Sequence, residues 1–213
     1  LDMGRIFDSL VGASEAHMRS AISVSEAVSP CVLWIDEIEK GLSRPGQQIG
    51  DSGVSLRVLG TFLTWLQEKT SPVFVVATAN DILHLPPEIV RKGRFDAVFF
   101  VDLPDEDERR AILEIHLKRV DRADDSLDLD ALVQMSGSPG GLDRGGMTGA
   151  EIAAWVDDAM LYAFERSLDG ATSELSHEDF ARALEEMPIL AKIRDKDIAA
   201  LRVWANSHAQ PAS

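Results

Sequence analysis

The stretch CVLWIDEIEK, residues 31–40, decides the fold because a short apolar run leads directly into acidic residues. CVLWID (31–36) is apolar up to its final Asp, and such a run is typical of a strand that is buried on both faces of a parallel sheet. Ligands of open parallel sheets bind at the carboxyl ends of the strands. The stretch therefore predicts a buried strand and a site at its end.

Two later runs have the same character. PVFVVATAN (72–80) and AVFFVDL (97–103) each predict a buried strand, and Pro104 ends the second of them. The sequence around these strands predicts helices at 14–28 and 54–68, a loop at 41–53 and one or two helical turns at 86–93. Strands that alternate with helices indicate a parallel α/β sheet.

The character of the sequence changes after Pro104, where only helical patterns follow. They lie at 105–120, 127–136, 148–168 and 176–187, and Ser176 and Asp179 form a capping pattern at the start of the last one. A further helix is predicted at 188–205, and HAQPAS reads as a frayed tail. We therefore predict an α/β part at 1–104, a helical part at 105–187, and a C-terminal helix and tail at 188–213.

Composition excludes several classes of protein. The chain has 213 residues, 21 of them basic and 36 acidic, and its net charge of −15 argues against nucleic acid as a partner. No stretch approaches the roughly 18–20 apolar residues that cross a bilayer, so no membrane partner is expected. The single cysteine, Cys31, cannot form an internal disulfide, which favours a reducing compartment such as the cytoplasm.

Asp36 and Glu37 carry the sharpest chemical signal. In P-loop nucleoside triphosphatases an apolar strand delivers an Asp to the shell of a Mg²⁺ ion. A Glu that follows it can polarise the attacking water as a general base. A strand that simply ends in Asp-Glu is the competing interpretation, and these two residues alone do not decide between the two.

Three further polar residues fit the same chemistry. Asn80 ends the second strand, 44 residues after Asp36, and its amide could orient the water and sense a γ-phosphate. Arg91 and Arg94 precede the third strand, and guanidinium groups bind phosphate and stabilise transition-state charge. Taken singly, an Asn after a strand is more often a turn residue, and the two arginines could be an ordinary basic turn.

In order and spacing, these motifs together resemble the AAA family of ATPases. The likeness rests on IFDSLVGASEAHMR, CVLWIDEIEK, VVATAN, EIVRKGRFD and GMTGAEI. It covers about residues 1–187 and is nearest to a poorly characterised plastid and bacterial group. It implies a partial P-loop NTPase (AAA+) fold, in which a parallel-sheet αβα domain is followed by a small all-helical lid. It also implies ATP and Mg²⁺ as cofactors, a hexameric ring, and a location in the cytoplasm, or in the plastid stroma if the gene is plastid-encoded.

The resemblance assigns a role to each polar residue of the motifs. Asp36 becomes the Walker B acid that associates with Mg²⁺, and Glu37 becomes the catalytic base. Asn80 becomes sensor 1, which also contacts the nucleotide. Arg91 and Arg94 become arginine fingers, which reach the nucleotide of a neighbouring subunit.

Two other motifs acquire roles only through the resemblance. Gly149 and Ala150, at the start of a lid helix, correspond to positions that pack near the nucleotide base and ribose. Leu10, Val11 and Gly12 correspond to the first pore loop, which grips substrate polypeptide. An aromatic residue is usual where Leu10 stands, so its grip is expected to be weaker or differently selective.

The sequence departs from the family in one important respect. No G-x-x-x-x-G-K-[ST] motif, the Walker A loop that cradles phosphates, occurs in these 213 residues. We expect that loop upstream of Leu1, and we expect the present residues alone to be inactive. Two functions follow: the ATPase module of a ring that remodels a client protein, or a non-catalytic AAA-like interaction or regulatory module. A Gly-rich loop upstream would favour the first.

Overall fold

The computed structural model describes residues 13–41, 52–91, 93–121, 127–137, 146–168 and 174–212. The predicted pore-loop residues Leu10, Val11 and Gly12 lie outside these ranges. The chain divides into two compact units, Leu1–Val98 and Phe99–Ser213. This division falls a few residues before Pro104, and the predicted domain boundaries stay predictions.

The first unit is built on a parallel pair of strands. Its helices and strands are α1 (Ala13–Ala27), β1 (Cys31–Ile35), α2 (Ser52–Glu68) and β2 (Val73–Ala77), with short 3₁₀ helices at Ile38–Gly41 and Ile82–His84. β1 pairs with β2 in parallel, from Cys31 opposite Val73 to Ile35 opposite Ala77. The predicted parallel α/β arrangement is confirmed here, and both strands end at the same edge.

The core of this unit lies on one face of the two strands. Ile35 is fully buried against Met18 of α1 and Phe62 of α2. On the other face Trp34 is 54% exposed and Phe74 67% exposed. The prediction that β1 is buried on both faces is therefore wrong for the described part of the chain, because both helices join the core cluster of the same sheet face.

The second unit is mostly helical. Its elements are β3 (Phe99–Phe100), α3 (Glu106–Arg119), α4 (Leu129–Met135), α5 (Gly149–Leu168), α6 (His177–Glu186), α7 (Leu190–Ile193), α8 (Asp195–His208) and β4 (Gln210–Pro211). α5 packs against both α3 and α6. Trp155 of α5 is fully buried, and its Nε1 donates to the carbonyl oxygen of Phe180 at 2.9 Å. None of the helices that the structure describes is both long and apolar enough to cross a membrane.

Side-chain caps explain where two of these helices begin. Ser176 and Asp179 form the predicted capping box at the start of α6, where each side chain bonds the backbone N–H of the other residue. Asp105 and Glu108 form a second box at the start of α3. Each box satisfies backbone donors that the first turn of a helix leaves without partners.

The C-terminal segment differs from its prediction. The helix expected at 188–205 is two helices, α7 and α8, and the tail is ordered, since β4 pairs in parallel with β3. The strand expected at 97–103 is reduced to Phe99–Phe100. The tail N–H of Ala212 also donates to the carbonyl oxygen of Phe100 at 3.1 Å. A bidentate ion pair joins α8 to the segment after β3, since Arg202 donates to both carboxylate oxygens of Asp102 with distances of 2.8–3.0 Å.

Candidate functional site

The end of β1 places Asp36 at the edge where both strands terminate. Its carboxylate is exposed, and its Oδ1 accepts a hydrogen bond of 2.6 Å from the hydroxyl of Thr78. The backbone N–H of Thr78 donates to the carbonyl oxygen of Ile35 at 2.9 Å, which continues the strand pairing past β2. The register of the two strands therefore places Thr78, the residue after β2, opposite Asp36.

Glu37 leaves the strand in an unusual backbone conformation. Its φ is 49°, in the left-handed region, which for a residue other than Gly costs on the order of 1–3 kcal/mol. Two hydrogen bonds hold the turn: the Glu37 N–H donates to Thr78 Oγ1 at 3.1 Å, and the Ile38 N–H donates to the Thr78 carbonyl at 2.9 Å. Strained residues of this kind cluster at functional sites, so the outlier supports a functional assignment.

Asn80 joins the acidic pair through its side chain. Its Nδ2 donates to Glu37 Oε1 at 3.2 Å, although the two residues are 43 positions apart in sequence. The backbone N–H of Asn80 donates to Oε1 of Glu39 at 3.1 Å. The structure thus brings Asp36, Glu37 and Asn80 to one edge of the sheet, as their positions at the strand ends predict.

Glu39 has a second feature of interest. Its other carboxylate oxygen, Oε2, is buried and accepts no hydrogen bond from the residues that the structure describes. The hydrogen bond described for the Glu39 carboxylate is therefore the one that it accepts from the backbone N–H of Asn80. That bond fixes the start of the turn that carries the Asn80 amide.

The two arginines lie on a segment that the core anchors. Leu85 and Ile89 are buried in the cluster of the first unit, and the backbone from Pro86 onward forms turns rather than the predicted helical turns. Arg91 is exposed, whereas Arg94 is half-buried and its Nη1 donates to the carbonyl oxygen of Glu88. Neither guanidinium bonds the acidic pair in the described structure, and their action on a neighbouring subunit stays a prediction.

Gly149 and Ala150 begin α5, in the second unit. Thr148 and Glu151 cap this helix: the Glu151 N–H donates to Thr148 Oγ1 at 3.2 Å, and the Thr148 N–H donates to Glu151 Oε2 at 2.7 Å. Gly149 is half-buried, and an added Cβ there would meet Ile112 at 3.6 Å. Ala150 is exposed. Their contact with a nucleotide stays a prediction.

Sequence reasoning missed Thr78 and Glu39. Both flank the predicted residues, since Thr78 lies two positions before Asn80 and Glu39 two positions after Glu37. A Thr near a strand end is too common to attract attention. Only the strand register shows that its hydroxyl lies between Asp36 and the Glu37 amide.

The donor chemistry of this edge fits Mg²⁺. An exposed carboxylate is a hard oxygen ligand, and Mg²⁺ is usually held by one or two carboxylates together with waters and substrate phosphates. Among the described residues no group of three or more His, Cys, Asp or Glu could hold a metal ion. The exposed carboxylate of Asp36 matches the donor chemistry that Mg²⁺ prefers.

A parallel strand pair whose carboxyl edge carries an acidic pair and an amide is compatible with the class of P-loop nucleoside triphosphatases. Comparison by sequence gives the family: residues 1–103 match the "ATPase family associated with various cellular activities (AAA)". The chain therefore carries an AAA ATPase domain. Proteins of this family typically form oligomers.

Relatives with high identity carry the same domain. The uncharacterized AAA domain-containing protein ycf46 of Pyropia yezoensis is 45% identical over 206 residues, which are 96% of this chain and 39% of that protein. Its namesake in Trieres chinensis is 44% identical over 208 residues, 97% of this chain and 39% of that protein. The ATPase family protein 2 homolog of Caenorhabditis elegans is 35% identical over 181 residues, 84% of this chain and 24% of that protein. The chain spans about two fifths of the ycf46 proteins.

Proposed function

We propose that this chain is the ATP-binding and ATP-hydrolysing module of a ring-forming AAA+ ATPase that remodels a client protein. One observation carries the proposal: Asp36, Glu37 and Asn80, from two different strand ends, lie within hydrogen-bond reach of each other or of a shared partner, Thr78. Nucleotide hydrolysis needs such a group of acid, base and amide at one place.

Each of the three residues has a distinct task in the proposed reaction. Glu37 takes the proton of the attacking water as general base. Asn80 donates to Glu37 Oε1, which fixes the orientation of that carboxylate. Asp36 helps to hold Mg²⁺, and the bound ion supplies charge neutralisation at the phosphate oxygens.

Assembly completes the proposed site. Arg91 and Arg94 are assigned to the nucleotide of the adjacent subunit in a hexameric ring, and the exposure of Arg91 is compatible with that role. The helices from α3 to α6 are assigned to the lid, with Gly149 and Ala150 near the base and ribose. The net charge of −15 favours a protein client over nucleic acid. The proposed location is the cytoplasm, or the plastid stroma for a plastid-encoded protein.

The substitution Glu37→Gln in the full-length protein that contains these residues tests the proposal. The amide keeps the shape of the side chain but cannot accept the proton, so ATP affinity should stay unchanged while turnover falls about 10²-fold or more. Steady-state phosphate release and a fluorescent-nucleotide titration measure the two quantities.

Glu68→Gln is the matched control, because Glu68 is an exposed carboxylate at the end of α2 in the same unit. It should leave both turnover and affinity unchanged. Turnover by Glu37→Gln equal to that of the unaltered protein would reject Glu37 as the base. An unaltered protein that binds ATP but never hydrolyses it would instead favour the non-catalytic interaction module.

The phosphate-cradling motif gives a second test. These 213 residues contain no G-x-x-x-x-G-K-[ST] loop, and the backbone N–H groups of that loop supply much of the phosphate binding. The 213-residue segment alone should therefore show no micromolar ATP binding in equilibrium dialysis. Micromolar binding by the segment would contradict the assignment of phosphate binding to residues outside it.

A further inference from the structure

Thr78 lies between the two acids of the proposed site. Its hydroxyl donates to Asp36 Oδ1 at 2.6 Å and accepts the Glu37 N–H at 3.1 Å. A hydroxyl has one proton to donate and lone pairs to accept with. Thr78 uses both capacities at once, and its two partners are the consecutive residues that follow β1.

The backbone of Thr78 is fixed independently of this side chain. Its N–H donates to Ile35 O and its carbonyl accepts from Ile38 N–H, both at 2.9 Å. These two bonds continue the ladder of β1 and β2 beyond Ala77. The Cα of Thr78 is therefore held by the sheet, and its β-branched side chain, which has few rotamers, presents the hydroxyl at a defined place.

We propose that Thr78 is a positioning residue for ATP hydrolysis, whose hydroxyl sets the orientation of the Asp36 carboxylate and holds Glu37 in its left-handed conformation. This inference rests on the proposed function of the two acids. Thr78 itself touches neither water nor nucleotide in this account. It acts through its two neighbours. Its bond to Asp36 Oδ1 leaves the other carboxylate oxygen of Asp36 for the proposed Mg²⁺, and its bond to the Glu37 N–H holds the backbone of that residue.

Loss of the hydroxyl would remove one hydrogen bond from each of the two acidic residues. Asp36 would lose its described hydrogen-bond donor and could rotate about its side-chain torsions. The Glu37 N–H would lose its acceptor while the backbone stays at a φ of 49°, which few residues adopt without support. Asn80, beyond the end of β2, would still donate to the Glu37 side chain.

The experiment compares four variants of the full-length protein. Thr78→Val replaces the hydroxyl by a methyl group, Thr78→Ala removes both side-chain branches, and Thr78→Ser keeps the hydroxyl. Thr61→Val is the matched control, because the Thr61 hydroxyl bonds the Arg57 carbonyl within α2 at 3.0 Å. Thermal melting of each variant verifies that it is folded.

The first readout is a separate measurement of kcat and of the KM for ATP. Thr78→Val and Thr78→Ala should lower kcat about 10- to 100-fold with little change in the KM for ATP, since misplacement of a catalytic group by about 1 Å costs rate at that scale. Thr78→Ser should stay within about threefold of the unaltered protein. Thr61→Val should match the unaltered protein in both constants.

The second readout needs no nucleotide. Hydrogen exchange of the Glu37 amide in the apo protein should be faster in Thr78→Val and Thr78→Ala, and unchanged in Thr78→Ser and Thr61→Val. Unaltered kcat in folded Thr78→Val and Thr78→Ala would overturn the proposal, and so would exchange of the Glu37 amide at its original rate.

The two readouts also separate this proposal from the function on which it rests. If the unaltered protein hydrolyses no ATP, the proposed function fails, whereas the exchange rates still report whether Thr78 holds Glu37. If the unaltered protein hydrolyses ATP and the Thr78 variants do so equally well, only the positioning role is rejected.

Discussion

At the scale of single residues, the site depends on hydrogen bonds between positions that are distant in sequence. Asn80 contacts Glu37, and Thr78 contacts Asp36, across separations of 43 and 42 residues. The carboxylate of Glu37 is thereby held beside an amide that carries no charge. The neutrality of Asn80 matters, because a negatively charged group at this place would repel the Glu37 carboxylate.

Asn80→Asp should lower kcat further than Asn80→Ala does. The new carboxylate would replace the amide that now lies 3.2 Å from Glu37 Oε1, and two negative charges at that separation repel each other. The proposed base would then be displaced from the orientation that the amide gives it. Steady-state phosphate release measures kcat for both variants.

Asn80→Ala is the control for this experiment. It removes the same hydrogen bond without adding a charge, so its kcat should fall by less than that of the Asp variant. Equal losses in the two variants would show that Asn80 does not lie beside the proposed base.

The sequence predicted the three polar residues at the strand ends but not the contacts that position them. Asp36, Glu37 and Asn80 follow apolar runs, and these positions together with the order of the other motifs made them candidates. The hydrogen bonds of Thr78 and Glu39 depend on the strand register, in which Ile35 lies opposite Ala77. No local pattern encodes that register.

At the scale of helices and strands, Gly146 marks a tight approach before α5. Its φ is +85°, and a Cβ added there would lie 2.3 Å from the carbonyl oxygen of Ser136. That carbonyl already accepts from the N–H of Met147 at 3.0 Å. The contact ties the start of the α5 segment to the end of α4, and only a residue without a side chain fits.

Gly146→Ala should destabilise the second unit by more than the roughly 1–2 kcal/mol that a left-handed conformation costs an ordinary residue, because the clash with Ser136 adds to it. Gly93→Ala is the matched control: its φ is +92°, and nothing lies within 4 Å of an added Cβ. Denaturant unfolding measures both. Equal losses in the two variants would contradict the close approach at Gly146.

Asp179 links the start of α6 to the pH dependence of stability. Burial alone would raise the pKa of its carboxyl, but hydrogen bonds from Arg166 and Ser176 outweigh that effect and hold the pKa below its usual value. A lowered folded-state pKa stabilises the folded protein above the unfolded value of about 3.9. That contribution is lost as the pH falls from there through the folded-state pKa.

The melting temperature of the second unit should therefore drop between pH 7 and pH 3, and Asp179→Asn should lose less over the same interval, because an amide does not titrate. Circular dichroism melts at both pH values test this. A variant whose melting temperature falls as far as that of the unaltered protein would show that Asp179 does not contribute to the acid sensitivity.

Local patterns predicted the helices well and the C-terminal segment poorly. The apolar spacing of 148–168 and the capping pair Ser176 and Asp179 are local signals, and both gave helices close to their predicted bounds. The tail instead pairs with the distant strand β3, where Phe99 lies opposite Gln210, and Arg202 of α8 bonds Asp102 across 100 positions. The exposed face of β1 was missed because apolar composition does not indicate which face is covered.

At the scale of the whole molecule, the proposed arginine fingers require a second subunit. Their target is a nucleotide bound to another copy, so no contact within one chain can reveal it. The sequence predicted the AAA class because its motifs are ordered along one chain. The proposed ring assembly is supported only by the family and by the exposure of Arg91.

Mixing two inactive variants tests action across a subunit interface. Arg91→Ala should lower turnover about 10³-fold or more, as the loss of a finger does in other nucleotide hydrolases. Glu37→Gln should also be nearly inactive, because it lacks the proposed base. In mixed oligomers, about one site in four pairs an intact base with an intact neighbouring finger. ATP hydrolysis after co-expression should recover toward that fraction. Mixtures no more active than either variant would contradict action in trans.

The central claim is that Asp36, Glu37 and Asn80 line one site on a bound triphosphate. The most direct test is a structure of the full-length protein with Mg²⁺ and a non-hydrolysable ATP analogue. The account predicts Asp36 in the shell of the ion, directly or through water, with Glu37 and Asn80 facing the γ-phosphate on the side from which water attacks. A triphosphate bound away from the ends of β1 and β2 would contradict it.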